Sequence, residues 1–278
     1  MSDAMAAAQD EHAHALLAAY DGAYHLPTPT STDPSFALPD AFGVADAIRR
    51  LRLARGEVAR GYKIGFTNRG IWARYGVFAP IWGPVWDTTL EQADDAVARV
   101  SLARFVEPRL EPEIVFGFES APRAGMDLDA LAGCIGWVAH GYEIVHTHFT
   151  GWRFTAADSF ADFALHGRLI VGPRVLRSCF PGDGDALHET LAALRVTLVC
   201  DGRDVEEGQA NIVLDGPLNA LRQWVEAMAA QPRAWPIAAG DVVTTGTITD
   251  AAPLAPGQRW QTRLSDPRLA GMTLHTEA

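Results

Sequence analysis

The chain has 278 residues, a formal net charge of −11, 48% apolar residues and 21% charged ones. The acidity excludes a polyanionic partner, and the composition is that of an ordinary globular chain, long enough for a substantial core in one or two domains. Cys134, Cys179 and Cys200 form no CxxC pair, which argues against a thiolate metal site and for a reducing compartment.

Residues 1–14 are Ala-rich and acidic, with no basic segment leading into an apolar one, and nowhere does an uninterrupted 18-residue apolar run occur. The expectation is a cytoplasmic protein without signal peptide or membrane span. Residues 6–24 carry Leu16, Leu17 and Tyr20 at helical spacing and predict a helix. Residues 25–39, with Pro27, Pro29, Pro34 and Pro39, predict an extended loop, and residues 40–56 a second helix on Phe42, Val44, Ile48 and Leu51.

Gly61-Tyr62-Lys63-Ile64-Gly65-Phe66-Thr67 reads as a short strand with one lysine inside it. An ammonium in such a strand is costly to desolvate and needs a partner or a task, so Lys63 is either a catalytic cation or half of a structural ion pair. Residues 69–76 predict one or two helical turns. Residues 78–87 hold Pro80, Trp82, Gly83, Pro84 and Trp86 and predict an irregular loop that walls a pocket or simply packs.

Arg109-Leu110-Glu111-Pro112-Glu113-Ile114-Val115-Phe116-Gly117-Phe118 joins two carboxylates to a β-branched and aromatic run. Residues i and i+2 of a strand share a face, so Glu111 and Glu113 project side by side. Two readings stand: a site for a hard divalent cation such as Mg²⁺ or Mn²⁺, and a solvated strand start with Arg109 as ion-pair partner. Further on, a helix is expected over 127–137, an apolar strand over 138–149 interrupted by Glu143, and a helical segment over 155–165. Strands are expected at 167–175 and at 194–200, the latter turning at Asp201-Gly202, then a helix at 217–229 and strands at 240–247 and 259–264. A helical first quarter before a strand-rich remainder predicts an α+β fold with a mostly antiparallel core. Residues 1–95 would form a helical region bearing the Lys63 strand, packed on a β-rich core of residues 96–278 as one structural unit.

Gly61 to Thr67 is similar to a G-[YR]-K-I-G-L-T stretch, and Leu110-Glu111-Pro112-Glu113-Ile114 to V-E-x-E-I. Tyr142-Glu143-Ile144-Val145, Asp158-Ser159-Phe160-Ala161-Asp162, Gly216-Pro217-Leu218-Asn219-Ala220-Leu221 and Gly240-Asp241-Val242-Val243-Thr244-Thr245-Gly246-Thr247 supply four more such matches in order. Together they resemble the fumarylacetoacetate hydrolase superfamily, in the branch of 2-keto-4-pentenoate hydratases and 2-oxo-3-hexenedioate (4-oxalocrotonate) decarboxylases. The resemblance implies a fumarylacetoacetase-like mixed β-sandwich or roll core with helices packed on it. It implies that Glu111, Glu113 and Glu143 bind one Mg²⁺ or Mn²⁺ and act with Lys63 in catalysis, with Thr67, Phe163, His166 and Thr247 against a small 2-oxo or 2-hydroxydienoic acid. The implied activity is a hydro-lyase that converts a 2-hydroxy-2,4-dienoate to a 4-hydroxy-2-oxo acid in aromatic catabolism, by a cytoplasmic homo-oligomer. The alternatives are decarboxylation of a 2-oxo-3-enedioate, acylpyruvate-type C–C hydrolysis, and a non-catalytic protein that only binds a 2-oxo acid.

Two departures bear on the substrate. Glu143-Ile144-Val145-His146-Thr147-His148 replaces E-I-V-D-S-R, and Ala161-Asp162-Phe163-Ala164-Leu165-His166-Gly167 stands where A-D-N-A-S-S-G is common among the hydratases. His146 and His148 read as a zinc pair or as structural histidines, and His166 as a substrate partner or a satisfied structural histidine. Thr245 beside Thr247 reads as a hydroxyl donor or as part of a turn, and Asp158 as a loop or helix anchor.

Overall fold

The computed structural model describes residues 3–231 and 234–278. Helix α1 (Asp3–Gly22) opens the chain. The segment after it is not wholly extended, because Pro29 starts a single turn, α2 (Pro29–Thr32), and Pro39 lies in the first turn of α3 (Leu38–Ala54). Both prolines stand where a missing N–H forfeits no helical bond. Strand β1 (Ala59–Gly65) carries Lys63, and the one-turn α4 (Trp72–Tyr75) follows.

Residues 78–87 are not the irregular loop expected. They contain β2 (Ile81–Trp86), which pairs antiparallel with β1 at the edge of its sheet. An edge strand tolerates Pro84, and Trp82 and Trp86 are buried core residues. β3 (Leu90–Gln92) and β4 (Val97–Ser101) lead to β5 (Arg109–Phe118). The helix expected over 127–137 is only α5 (Leu128–Ala132), and β6 (Ile135–Val145) begins three residues later. α6 (Ala156–Ala161) is followed by β7 (His166–Val171), β8 (Val175–Leu176) and α7 (Gly184–Ala192). The hairpin of β9 (Arg195–Cys200) and β10 (Arg203–Gln209) turns at Asp201-Gly202 as expected. α8 (Pro217–Ala229), β11 (Val242–Thr247), β12 (Ala252–Pro253), β13 (Arg259–Leu264) and β14 (Thr273–Glu277) complete an α+β fold.

Among the described residues the strands form two sheets. The larger runs β2-β1-β11-β5-β6-β7-β3, with β12 on β5 and β8 on β6; the smaller runs β10-β9-β13-β14-β4. Most pairings are antiparallel, and β1–β11, β3–β7 and β4–β14 are parallel. Leu110, Tyr142, Ile144 and Ile170 of the larger sheet pack against Leu198, Trp260 and Leu274 of the smaller one. Ile114, Phe116 and Val138 pack under the helices, where α3 lies on α1 and α6. The alternate residues of β5 point the other way, where Val115 joins Ala139 and Leu169 in a small apolar patch. No helix among the described residues is long and apolar enough to cross a membrane.

Candidate metal centre and its cavity

The registers bring the polar residues to one face. Glu111 stands directly opposite Glu143 on β6, and Lys63 is paired with Thr244, which is paired with Val115, two residues along from Glu113. Like charges set directly opposite on a sheet repel. Glu111, Glu113 and Glu143 nevertheless offer oxygens that all lie within 4.8 Å of one another.

Each buried carboxylate spends one oxygen on the protein. Glu113 Oε2 accepts from the Gly246 N–H at 2.7 Å and from the Thr244 hydroxyl, while Glu113 Oε1 has no partner. Glu143 Oε1 accepts from His166 Nδ1 at 2.8 Å, while Glu143 Oε2 has no hydrogen bond and lies 3.4 Å from Lys63 Nζ. Glu111 is half-buried, at the edge of a cavity of about 230 Å³. Three crowded carboxylates share the single Lys63 ammonium, and two of their buried oxygens receive no hydrogen bond from a described residue, which is costly unless a further cation takes them; an all-oxygen donor set suits a hard divalent ion that keeps positions for substrate. The residues therefore fit such an ion.

The electrostatics agree. Burial pushes the Glu111 carboxyl up to about 7 against the pull of Lys63, and it pushes Glu113 well above the usual range with help from Glu143 and Glu111. For Lys63, burial favours the neutral amine, but the three carboxylates outweigh it and hold the group protonated. Its Nζ donates to the Ala164 carbonyl at 3.0 Å.

Local backbone builds this arrangement. β11 slips register between Thr244 and Thr247, and the bulge turns the Gly246 N–H onto Glu113. Gly246 has φ +104°, and a Cβ there would lie 1.9 Å from Thr67 Oγ1, so only glycine fits.

Lys63, Thr67, Arg109, Glu111, Trp152 and Thr247 line the cavity, together with Ala164 and Leu165. Thr67 sits over Gly246, and the Thr247 hydroxyl donates to the Thr249 carbonyl at 2.8 Å. Phe163 does not line the cavity; its ring packs on Tyr20 at 4.8 Å in the core. His166 is also behind the wall, fully buried, with Nδ1 on Glu143 and Nε2 2.9 Å from Thr89 Oγ1. Thr245 donates to the Ile114 carbonyl, and Asp158 caps α6 through Thr155 while holding Thr30.

His148 is paired with Asp162 at 2.5 Å, and His146 Nδ1 accepts from the Val106 N–H at 3.3 Å. Neither joins a metal-ligating group, since among the described residues the three glutamates are the only cluster of that kind. Arg109 makes no salt bridge with a described residue; its guanidinium lies 4.1 Å above the Trp152 ring, facing the cavity. Its place two residues before Glu111 on one strand face was the signal for it. A larger hollow of about 770 Å³, walled by Arg52, Arg99, Arg104 and Arg168, contains none of the three carboxylates.

No family model matches the chain. It is 31% identical over 235 residues to a 4-oxalocrotonate decarboxylase of a Pseudomonas species, covering 81% of this chain and 84% of that one. It is 27% identical over 232 residues to the 2-hydroxyhexa-2,4-dienoate hydratase of Comamonas testosteroni, covering 83% and 84%. The structure of 4-oxalocrotonate decarboxylase from Pseudomonas putida G7, complexed with magnesium and adipate, superposes with a TM-score of 0.87 at 25% identity, over 99% of this chain and 98% of that one.

Proposed function

Because the chain belongs to the hydratase and decarboxylase branch of the fumarylacetoacetate hydrolase superfamily, we propose that it is a hydro-lyase converting a 2-hydroxy-2,4-dienoate to a 4-hydroxy-2-oxo acid. Glu111, Glu113 and Glu143 would hold one Mg²⁺ or Mn²⁺. The observation that carries this is the pair of buried oxygens without a hydrogen bond from any described residue, Glu113 Oε1 and Glu143 Oε2, converging beside Glu111 at the cavity edge. When bound, the ion supplies Lewis-acid stabilisation of negative charge on the substrate's 2-oxygen.

The chain's own residues do the rest. Lys63, held protonated and aimed by the Ala164 carbonyl, pairs with the substrate carboxylate or 2-oxygen and relays a proton there. Thr67 and Thr247 present polar groups along the same wall, and Trp152, Phe154 and Leu165 exclude water from the apolar carbon chain. In this reading the enzyme works in the cytoplasm, consistent with three unpaired cysteines, and assembles as at least a dimer.

One observation favours decarboxylation of a 2-oxo-3-enedioate as the second reading. Arg109 is a cation at the cavity wall with no salt bridge to a described carboxylate, about 7 Å along the strand from Glu111, which is roughly the span of a six-carbon diacid. The related Pseudomonas putida G7 enzyme was complexed with adipate. C–C hydrolysis needs an activated water, and no Ser–His pair lines the cavity among the described residues. The test is to incubate the purified protein with Mg²⁺ and a panel of 2-hydroxydienoates and 2-oxo-3-enedioates. Loss of ultraviolet absorbance without CO₂ is the expected result; CO₂ release selects the second reading, and no change with any substrate leaves only a binding protein.

A further inference from the structure

Phe163, Ala164 and Leu165 take left-handed backbone angles, φ 55°, 50° and 66°, although none is glycine. Such angles crowd a Cβ against the following carbonyl, so three in a row persist only where the surroundings hold them. Here the Phe163 ring is clamped on Tyr20, and the turn seats on Gly83, where a Cβ would come 2.7 Å from the Phe163 carbonyl oxygen.

The turn reaches the site from two of its residues. The Ala164 carbonyl accepts from Lys63 Nζ at 3.0 Å, and two residues later His166 Nδ1 donates to Glu143 Oε1 at 2.8 Å. The carboxylate can only accept, so Nδ1 carries the proton, and in the neutral ring Nε2 accepts from the Thr89 hydroxyl at 2.9 Å. Thr89 is itself fixed by the Trp86 N–H at 3.0 Å. One four-residue segment thus holds both partners of the Lys63–Glu143 pair, and neither Thr89 nor His166 lines the cavity.

We propose that this turn, with His166 and Thr89, is a positioning device: it fixes Glu143 so that Oε2 faces the cation site, and Thr89 and His166 thereby set the affinity for the divalent ion. With Oε1 tied to the imidazole, the carboxylate has one orientation, and with Nε2 tied to Thr89, the imidazole has one tautomer. His166 and Thr89 are positioning residues; they touch neither ion nor substrate. The proposal rests on the reading of the three glutamates as a metal site.

The test is calorimetric titration of the full chain with Mn²⁺, wild type against Thr89→Val, Thr89→Ser and His166→Leu, with a thermal melt of each. Mn²⁺ affinity is expected to fall roughly 10- to 100-fold in Thr89→Val and His166→Leu, and to be recovered in Thr89→Ser. If His166→Leu does not fold, Thr89→Val decides alone, since it keeps the shape and loses only the hydroxyl. Lower melting temperatures with unchanged Mn²⁺ affinity would overturn the proposal and leave the metal site standing. Wild-type protein that takes no Mn²⁺ would overturn both.

Discussion

β5 and β6 have two faces built to opposite rules. On one, Leu110, Ile114, Phe116, Tyr142 and Ile144 are fully buried, and the polar groups there are partnered: the Tyr142 hydroxyl donates to the Met272 carbonyl, and both ring nitrogens of His140 are engaged, by the Glu113 carbonyl and the Thr262 hydroxyl. On the other, Glu111, Glu113 and Glu143 crowd together, and two of their buried oxygens receive no hydrogen bond from a described residue. The same backbone ladder carries both, so the difference lies wholly in side chains that alternate along one strand pair. The apolar face stabilises the fold; the acidic face costs stability and is kept for what it can bind.

The two faces respond most differently to substitution at Glu113. Glu113→Gln is expected to lower turnover by at least about 10³-fold, since it removes a ligand worth several kcal/mol of charge stabilisation. It should also raise the melting temperature of the metal-free protein, because a repelling carboxylate is gone; kinetics and metal-free melts of the same variant check both. Lys63→Met should retain Mn²⁺ binding and lose about 10²-fold in kcat, and full turnover with metal bound would remove Lys63 from the mechanism. On the opposite face, Ile114→Ala should cost about 3 kcal/mol in urea unfolding while leaving the Mn²⁺ affinity of the folded protein within about twofold. Arg109→Leu should raise KM about tenfold for a 2-oxo diacid and barely alter it for a monoacid, whichever reaction is measured.

The smallest effect is on pH. Burial pushes the His146 imidazole down to about 3, below its unfolded value near 6.5. The unfolded chain then binds more protons, so His146 contributes stability that is complete above pH 6.5 and is lost as pH falls toward 3. The slope between the two values is about 1.4 kcal/mol per pH unit, and urea titrations of His146→Asn between pH 4 and 5.5 should show a slope smaller by about that amount.

How much of this was legible in the sequence depends on range. Glu111 and Glu113 were legible because strand alternation alone puts them on one face. Glu143 and Lys63 lie 30 and 50 residues away, and only resemblance to a family, not spacing, joined them to the pair. β2 was misread because Gly83 and Pro84 punctuate turns as well as edge strands, and which one holds depends on β1 lying beside them. The left-handed turn at Phe163, Ala164 and Leu165 has no local signature, since nothing in those residue types favours positive φ. Phe163 was accordingly expected against substrate and is packed in the core, and Thr89, which fixes His166, went unnoticed. Arg109 was in view as a salt-bridge partner and stands instead above Trp152 at the cavity.

Whether the acidic face is a divalent-cation site is decided by equilibrium titration with Mn²⁺. The wild type is expected to bind one ion per chain, competed by Mg²⁺, and Glu113→Gln to bind none at that site. Equal Mn²⁺ binding by wild type and Glu113→Gln, or none by either, would contradict the cation-site assignment.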